Sequence, residues 1–285
     1  MKAKKVEGNR IGIIGVGNIG SSILRGLLAA DSGTGLERIY IYDANKKAIL
    51  DFGSDTEIKA IVEICTSNEV VAKNSEVIIL AVKPSVVKAV VKEIAPFITA
   101  DKILISVAAG VLTKTIEGYL GEGKKVIRVM PNIGARVSES VCALCKGRYA
   151  ETDDEELAKG ILNVIGSVYS VSESDLDVIT GLSGSGIAFF AAIIDAMADG
   201  GVYEGLPRDL ALAISAETAL GAAKMVLAGD TPSAIQAMTA SPGGTTIRGL
   251  YAMDSRGVKA AMMAAVIDAT ERAAEISRMD AANEE

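Results

Sequence analysis

The sequence predicts two fold classes in one chain: an N-terminal α/β part, a doubly wound Rossmann-type sheet over residues 1–172, and an all-α domain over residues 173–285. Three observations carry that expectation. Short apolar runs alternate with helical patterns from Arg10 to about Val171, as strands and crossover helices do in a parallel sheet. A glycine-spaced turn, "GVGNIG", follows the first run directly. After Ser172 the strand rhythm stops and alanine-rich helical segments take over.

Length and composition allow both parts a core: 285 residues, 49% hydrophobic and 23% charged, describe a globular chain. The net charge of −7, with no basic run, argues against nucleic acid or an anionic membrane surface as partner. A small anion must therefore be met by local donors.

The N-terminal Lys2, Lys4, Lys5 and Arg10 precede "IGIIGVGNIG" and loosely resemble a secretory signal. Three glycines interrupt the apolar stretch, which leads straight into an amphipathic segment, so a signal is not expected. The longest uncharged stretch, Val178 to Ile194, approaches membrane-spanning length but holds Gly181, Gly184 and Gly186 in its first half. A cytoplasmic protein is the expectation. The odd count of cysteines, Cys65, Cys142 and Cys145, suits that compartment and offers no disulfide framework.

The strands expected in order are "IGIIG", "RIYIYD", "VEICTS", "EVIILAV", "KILISV", "KVIRVM" and "SVCALC". Gly15, Gly17 and Gly20 stand in G-x-G-x-x-G spacing behind the first of them and open a helix. Such a turn admits a nicotinamide or flavin dinucleotide: the first glycine permits the tight turn, the second lets the pyrophosphate reach the backbone, and the third lets the helix pack on the strand. The competing reading is a structural glycine turn. Asp43, at the end of the second strand, is placed to accept hydrogen bonds from the adenine ribose and to repel a 2′-phosphate, a lean toward NADH. Asn45, Lys46 and Lys47 follow closely and offer the opposite, or simply a solvated helix start, so NADPH stays open.

In "CALC" the odd spacing along a strand sends Cys142 and Cys145 to opposite faces, and with no histidine in the chain no metal site is expected. Thr152 and Glu155 have the spacing of a capping box, and the acids Asp153 to Glu156 read as solvated helix-start charge.

Beyond Ser172, "AFFAAIIDAMADGG", "RDLALAISAETALGAAKMVLAG", "TPSAIQAMT" and "RGVKAAMMAAVIDATERAAEISRMD" read as helices without a convincing polar face. Such helices need burial on several sides, which a partner chain can supply. Only the extreme ends, such as "AANEE", are expected to fray. One stretch breaks the pattern. "SPGGTTIRGL", Ser241 to Leu250, brings a proline, a glycine pair and two threonines just before a new helix, the make-up of an anion pocket of bare N–H groups or of an ordinary interhelix turn with a threonine cap.

Taken in order, "GVGNIG", "AVKP" (Ala81 to Pro84), "VAAG" (Val107 to Gly110), "GLSGSG" (Gly181 to Gly186), "DAMADGGV" through "GLPR", "LGAAKM" and "SPGGTT" resemble the pyrroline-5-carboxylate reductases over essentially the whole chain. The resemblance implies NAD(P)H-dependent reduction of 1-pyrroline-5-carboxylate to L-proline, the last step of proline biosynthesis. It implies a homodimer or higher homo-oligomer built through the C-terminal helices. By the same resemblance Ile14, Gly15, Gly17, Asn18, Ile19, Gly20, Asn68, Ala81, Val82, Lys83, Pro84 and Ala109 line the cofactor. Glu173, Ser241, Gly244, Thr245 and Thr246 surround the substrate, with Thr246 beside the imine nitrogen. Two departures touch the substrate side: Ile187 replaces a proline common after "GLSGSG", and Met238 stands where many relatives have a polar residue.

The implied chemistry suits a chain without histidine. A cyclic imine protonated at nitrogen is already electrophilic, so orientation matters more than acid–base catalysis. Two other functions compete. A hydroxyacid dehydrogenase of similar plan would want a lysine after the "GSG" turn, and Ile187 to Ile194 contains none. A non-catalytic NAD-sensing regulator would share the glycine turn but would have no need of "SPGGTT".

Overall fold

The computed structural model describes residues 10–34, 36–53 and 61–282, so Lys2, Lys4, Lys5 and the last three residues lie outside it. The first part runs β1 (Arg10–Ile14), α1 (Asn18–Thr34), β2 (Arg38–Tyr42), α2 (Lys47–Gly53), β3 (Val62–Ile64), α3 (Asn68–Asn74), β4 (Val77–Leu80), α4 (Pro84–Ile94), β5 (Ile103–Ser106), α5 (Thr113–Leu120), β6 (Lys125–Met130), β7 (Ser140–Lys146), α6 (Thr152–Leu162) and β8 (Gly166–Ser170). The strands form one sheet in the order β3-β2-β1-β4-β5-β6-β7-β8. The chain thus works outward from β1 in one direction, then crosses back to β4 and works outward in the other.

Period-two alternation explains how the sheet is covered on both sides. Ile11 and Ile13 of β1, Ile79 of β4 and Ile127 of β6 face a core closed by Ile23, Leu24 and Leu27 of α1 and by Ile161 and Leu162 of α6. Ile14, Ile78, Leu80 and Leu104 face the other side, under Val71 of α3, Val87 and Val91 of α4, and Ile116 of α5. Each of these side chains, fully buried, contributes roughly 1.5–3 kcal/mol. Cys142 joins the first core and Cys145 the small cluster with Ala143 and Leu176 on the opposite face, as the odd spacing in "CALC" predicts.

Parallel pairing holds except between β6 and β7, which run antiparallel with Arg128 opposite Cys145. Only residues 131–139 join these strands, and they fold into a 3-10 turn at Ile133–Val137 rather than a crossover helix. A parallel return would need a dozen or more residues. The strand β8, parallel to β7, was not singled out in the sequence.

The N-cap of α6 is Glu151, not Thr152, and its capping box pairs Glu151 with Asp154. Asp154 is buried: it accepts from the Glu151 N–H (2.8 Å) and from Lys125 Nζ (2.9 Å), so the expectation of a wholly solvated acidic cluster is corrected at this residue.

Packing divides the chain into two compact units, Met1–Gly184 with Ala269–Glu285, and Ser185–Asp268. The sequence rhythm changes at Ser172, whereas compactness places the boundary after Gly184, because α7 (Leu176–Ile179) and the π-turn Thr180–Gly184 remain with the sheet. Leu176 packs on Ala143 and Cys145. The second unit holds α8 (Gly186–Tyr203), α9 (Arg208–Leu227), α10 (Pro232–Thr239), α11 (Thr245–Ser255) and the first part of α12 (Val258–Ala282), which returns to the first unit. Arg208 at the start of α9 pairs with Asp195 and Asp199 of α8, and Gly201 of α8 lies under Ala211 of α9. Much of the unit's apolar surface is uncovered within the chain: Phe190 is 63% exposed, Tyr203 88% and Leu227 82%.

Candidate active site

The glycine turn leaves β1 at Ile14, and its three glycines meet three different surroundings. Gly15 adopts φ +94°, and a Cβ on it would lie 2.6 Å from the Ala81 carbonyl oxygen. A Cβ on Gly20 would lie 2.0 Å from the Gly15 oxygen, so the chain's own packing requires glycine there. A Cβ on Gly17 would meet nothing within 4 Å. That free space lies at the start of α1, whose first turn begins at Asn18 and Ile19 and carries no acidic residue. Unpaired N–H groups and the positive end of the helix dipole make it suited to an anion. The surroundings of the three glycines fit the pyrophosphate of a dinucleotide.

Asp43 follows β2 and is drawn into this turn. Its Oδ2 accepts from the Val16 N–H (2.7 Å) and its Oδ1 from the Asn45 N–H (2.7 Å). The carboxylate therefore holds the glycine turn in place, a task that sequence spacing alone does not disclose. Lys46 and Lys47 are exposed beside it.

The other expected cofactor residues stand at the carboxyl ends of neighbouring strands. The Ala81 N–H donates to the Ile14 oxygen (2.8 Å), and Val82 approaches the position a Gly15 Cβ would take. Lys83 is exposed at the N-cap of α4, with Pro84 as the first helical residue. Ala109, exposed, lies beyond β5 and next to Gly110 at φ +80°. Asn68 opens α3 beyond β3, and its Nδ2 donates to Glu93 Oε2 (2.8 Å), leaving its side-chain oxygen for other partners. β1 and β4 flank the point where the strand order reverses, the general ligand position of open α/β sheets, with β5 next to β4 and β3 two strands from β1.

Glu173 also belongs to the first unit. Its Oε1 accepts from the Thr113 N–H (2.8 Å) and its Oε2 from Thr113 Oγ1 (2.8 Å), which places a carboxylate at the start of α5. Arg128 Nη1 donates to the same Oε1 at 3.3 Å. Sequence reading missed Thr113 and Arg128. For Arg128 a signal existed: a charged residue inside the apolar run "KVIRVM" has no easy place in a buried strand.

Ser241, Gly244, Thr245 and Thr246 lie in the second unit, between α10 and α11. Gly243 takes φ +71°, and the Gly244 N–H closes a turn on the Ser241 oxygen (3.0 Å). A Cβ on Gly244 would lie 2.3 Å from Ser241 Oγ, so each glycine has its own reason. Gly244 is the N-cap of α11 and supplies no side chain to cap it. Thr245 is exposed and Thr246 half-buried on the first turn. The loop thus presents backbone donors and one hydroxyl of each threonine at a helix start.

Comparison with known proteins gives the following. A family model described as pyrroline-5-carboxylate reductase dimerisation matches residues 173–276, and one described as NADP oxidoreductase, coenzyme F420-dependent, matches residues 10–110. A pyrroline-5-carboxylate reductase of Methanosarcina acetivorans is 42% identical, over 96% of this chain and 100% of its own. That of Pisum sativum is 38% identical over 94% of this chain and 96% of its own. Among solved structures, a pyrroline-5-carboxylate reductase from Coxiella burnetii superposes with a TM-score of 0.86 at 31% identity, covering 94% of this chain and 98% of the other. The Plasmodium falciparum pyrroline carboxylate reductase with NADP bound has a TM-score of 0.82 at 28% identity, covering 95% and 99%.

Proposed function

The chain belongs to the pyrroline-5-carboxylate reductase family and reduces 1-pyrroline-5-carboxylate to L-proline with a nicotinamide dinucleotide, and on that premise we propose how its residues divide the work. The observation that carries the cofactor side is the space kept free over Gly17 at the start of α1. Gly15, Asn18, Ile19 and Gly20 hold the pyrophosphate with Gly17. Ala81, Val82, Lys83, Pro84, Ala109, Asn68 and Ile14 border the rest of the cofactor. When bound, the reduced nicotinamide supplies the hydride.

On the substrate side, the bare N–H groups from Ser241 to Thr245 take the carboxylate, favoured by the dipole of α11. The Thr246 hydroxyl hydrogen-bonds the ring nitrogen, and Glu173, on the first unit, is a further substrate contact. The absence of histidine is consistent with that division, in which a protonated imine needs orientation more than acid–base help. Asp43 disfavours a 2′-phosphate, so NADH is the preferred cofactor, although the Plasmodium relative was solved with NADP.

The family match over residues 173–276 supports a homo-oligomer, and contact between copies would cover the apolar helices left exposed there. Two helical stretches, 173–203 and Arg208–Leu227, are apolar and long enough to cross a membrane by length and composition, and the dimerisation match covers the same residues. The finer reading is an obligate dimer with sites shared between subunits, located in the cytoplasm, where the three free cysteines stay reduced. The test of the function is cofactor oxidation at 340 nm with pyrroline-5-carboxylate under NADH and NADPH in turn. Turnover with a higher kcat/KM for NADH is expected; absence of turnover with either overturns the reading.

A further inference from the structure

Arg128 is 2% exposed in the middle of β6, between Ser106 of β5 and Cys145 of β7. A guanidinium taken out of water costs several kcal/mol unless it is paired. Its partners come from the segment behind the sheet: Nη1 donates to Glu173 Oε1 (3.3 Å), and Nη2 lies 3.9 Å from Asp177 Oδ1. Asp177 Oδ1 also accepts from Ser277 Oγ (2.8 Å) on α12, and Glu173 is held by both donors of Thr113. One buried fork therefore ties the start of α5, the turn carrying Glu173 and Asp177, and the returning end of α12.

We propose that Arg128 is a positioning residue of the reductase: through its fork it fixes the Glu173 carboxylate in the attitude that receives the substrate, and it fixes that turn to α12 through Asp177. The inference rests on the reading that Glu173 meets the substrate. Glu173 and Asp177 keep 29% and 26% side-chain exposure, so both side chains reach solvent beside the fork, although Thr113 and Arg128 already hold both Glu173 oxygens. Without the cation, two carboxylates four residues apart would face each other and repel. The neighbouring Cys145 thiol, pushed up to about 12 chiefly by burial and then by the Glu173 charge, with Arg128 opposing, reports the same pair. Lysine is a poor substitute, since a point charge cannot serve both acids in a fixed plane.

A double-mutant cycle tests this. Arg128→Met should raise KM for pyrroline-5-carboxylate about ten-fold or more while the NADH dissociation constant, read by fluorescence, stays within about two-fold. Arg128→Lys should fall between, and Arg128→Met added to Glu173→Gln should change KM by less than about two-fold. An unchanged KM in Arg128→Met, an equal factor with and without Glu173→Gln, or a parallel loss of cofactor affinity overturns the proposal. Should Arg128→Met not fold, Arg128→Lys goes through the same cycle with the same deciding outcomes. If Glu173→Gln alone leaves KM unchanged, the substrate role of Glu173 falls and the route through it falls too. If Glu173→Gln raises KM and Arg128→Met does not, only the proposal falls.

Discussion

Replacing Gly17 with alanine adds a methyl group to space that no protein atom within 4 Å occupies. Gly17→Ala should therefore leave the melting temperature unchanged while weakening NADH binding about ten-fold, as measured by fluorescence titration. In Gly20→Ala the added carbon would sit 2.0 Å from the Gly15 oxygen, so that variant should lose about 1–3 kcal/mol in urea unfolding. The contrast separates ligand space from packing at neighbouring glycines. Thr246→Ala should lower kcat about 10- to 100-fold, the value of a charge-assisted hydrogen bond strongest in the transition state, with little change in cofactor affinity. Unchanged turnover would remove Thr246 from the mechanism. Asp43→Ser removes the charge that would face a 2′-phosphate, so the NADPH to NADH ratio of kcat/KM should rise about five-fold or more. A ratio that does not move would mean Asp43 serves the turn alone.

At the scale of elements, α6 shows how one acid can be both cap and ion-pair partner. Asp154→Ala would free the Glu151 N–H and leave Lys125 without its carboxylate, and should cost about 2 kcal/mol in denaturant unfolding with kcat untouched. The same helix shows the limit of pattern reading. A threonine with glutamate three residues on fits the cap pattern, yet the bonds form one residue earlier between Glu151 and Asp154, a pair the pattern does not name, with Asp154 also drawn to Lys125. The strands β1, β4 and β5 are legible because they are mostly apolar runs buried on both faces, and β6 is one interrupted by Arg128. By contrast, β8 reads "GSVYS" with no residue fully buried, so it gave no hydrophobic signal. The antiparallel turn of β7 was legible in principle from the shortness of 131–139, which leaves no room for a crossover. Within the site, the glycine turn and the "SPGGTT" loop are local in sequence and could be found by spacing. The contacts of Asp43, Glu173 and Arg128 span many residues, and only folding brings their partners together.

For the whole molecule, Phe190, Tyr203 and Leu227 are exposed within the chain, and if the proposed dimer is obligate, dilution should not yield an active monomer in sedimentation with activity assay. If sites are shared, co-expressing Gly17→Glu with Thr246→Ala should restore activity to about a quarter of the parent, since random pairing makes half the dimers mixed and each mixed dimer holds one intact site. A mixture as inactive as its parts would place each site within one chain. The return of α12 to the first unit carries a different consequence, one of timing. Ser277 of that helix is buried against Asp177, and Ala273 is buried with it, so residues that follow the whole second unit in sequence complete the first. A ribosome making this protein has therefore exposed the whole sheet before the segment that seals Asp177 emerges, and the nucleotide unit must wait, unfinished, until translation of α12 is complete.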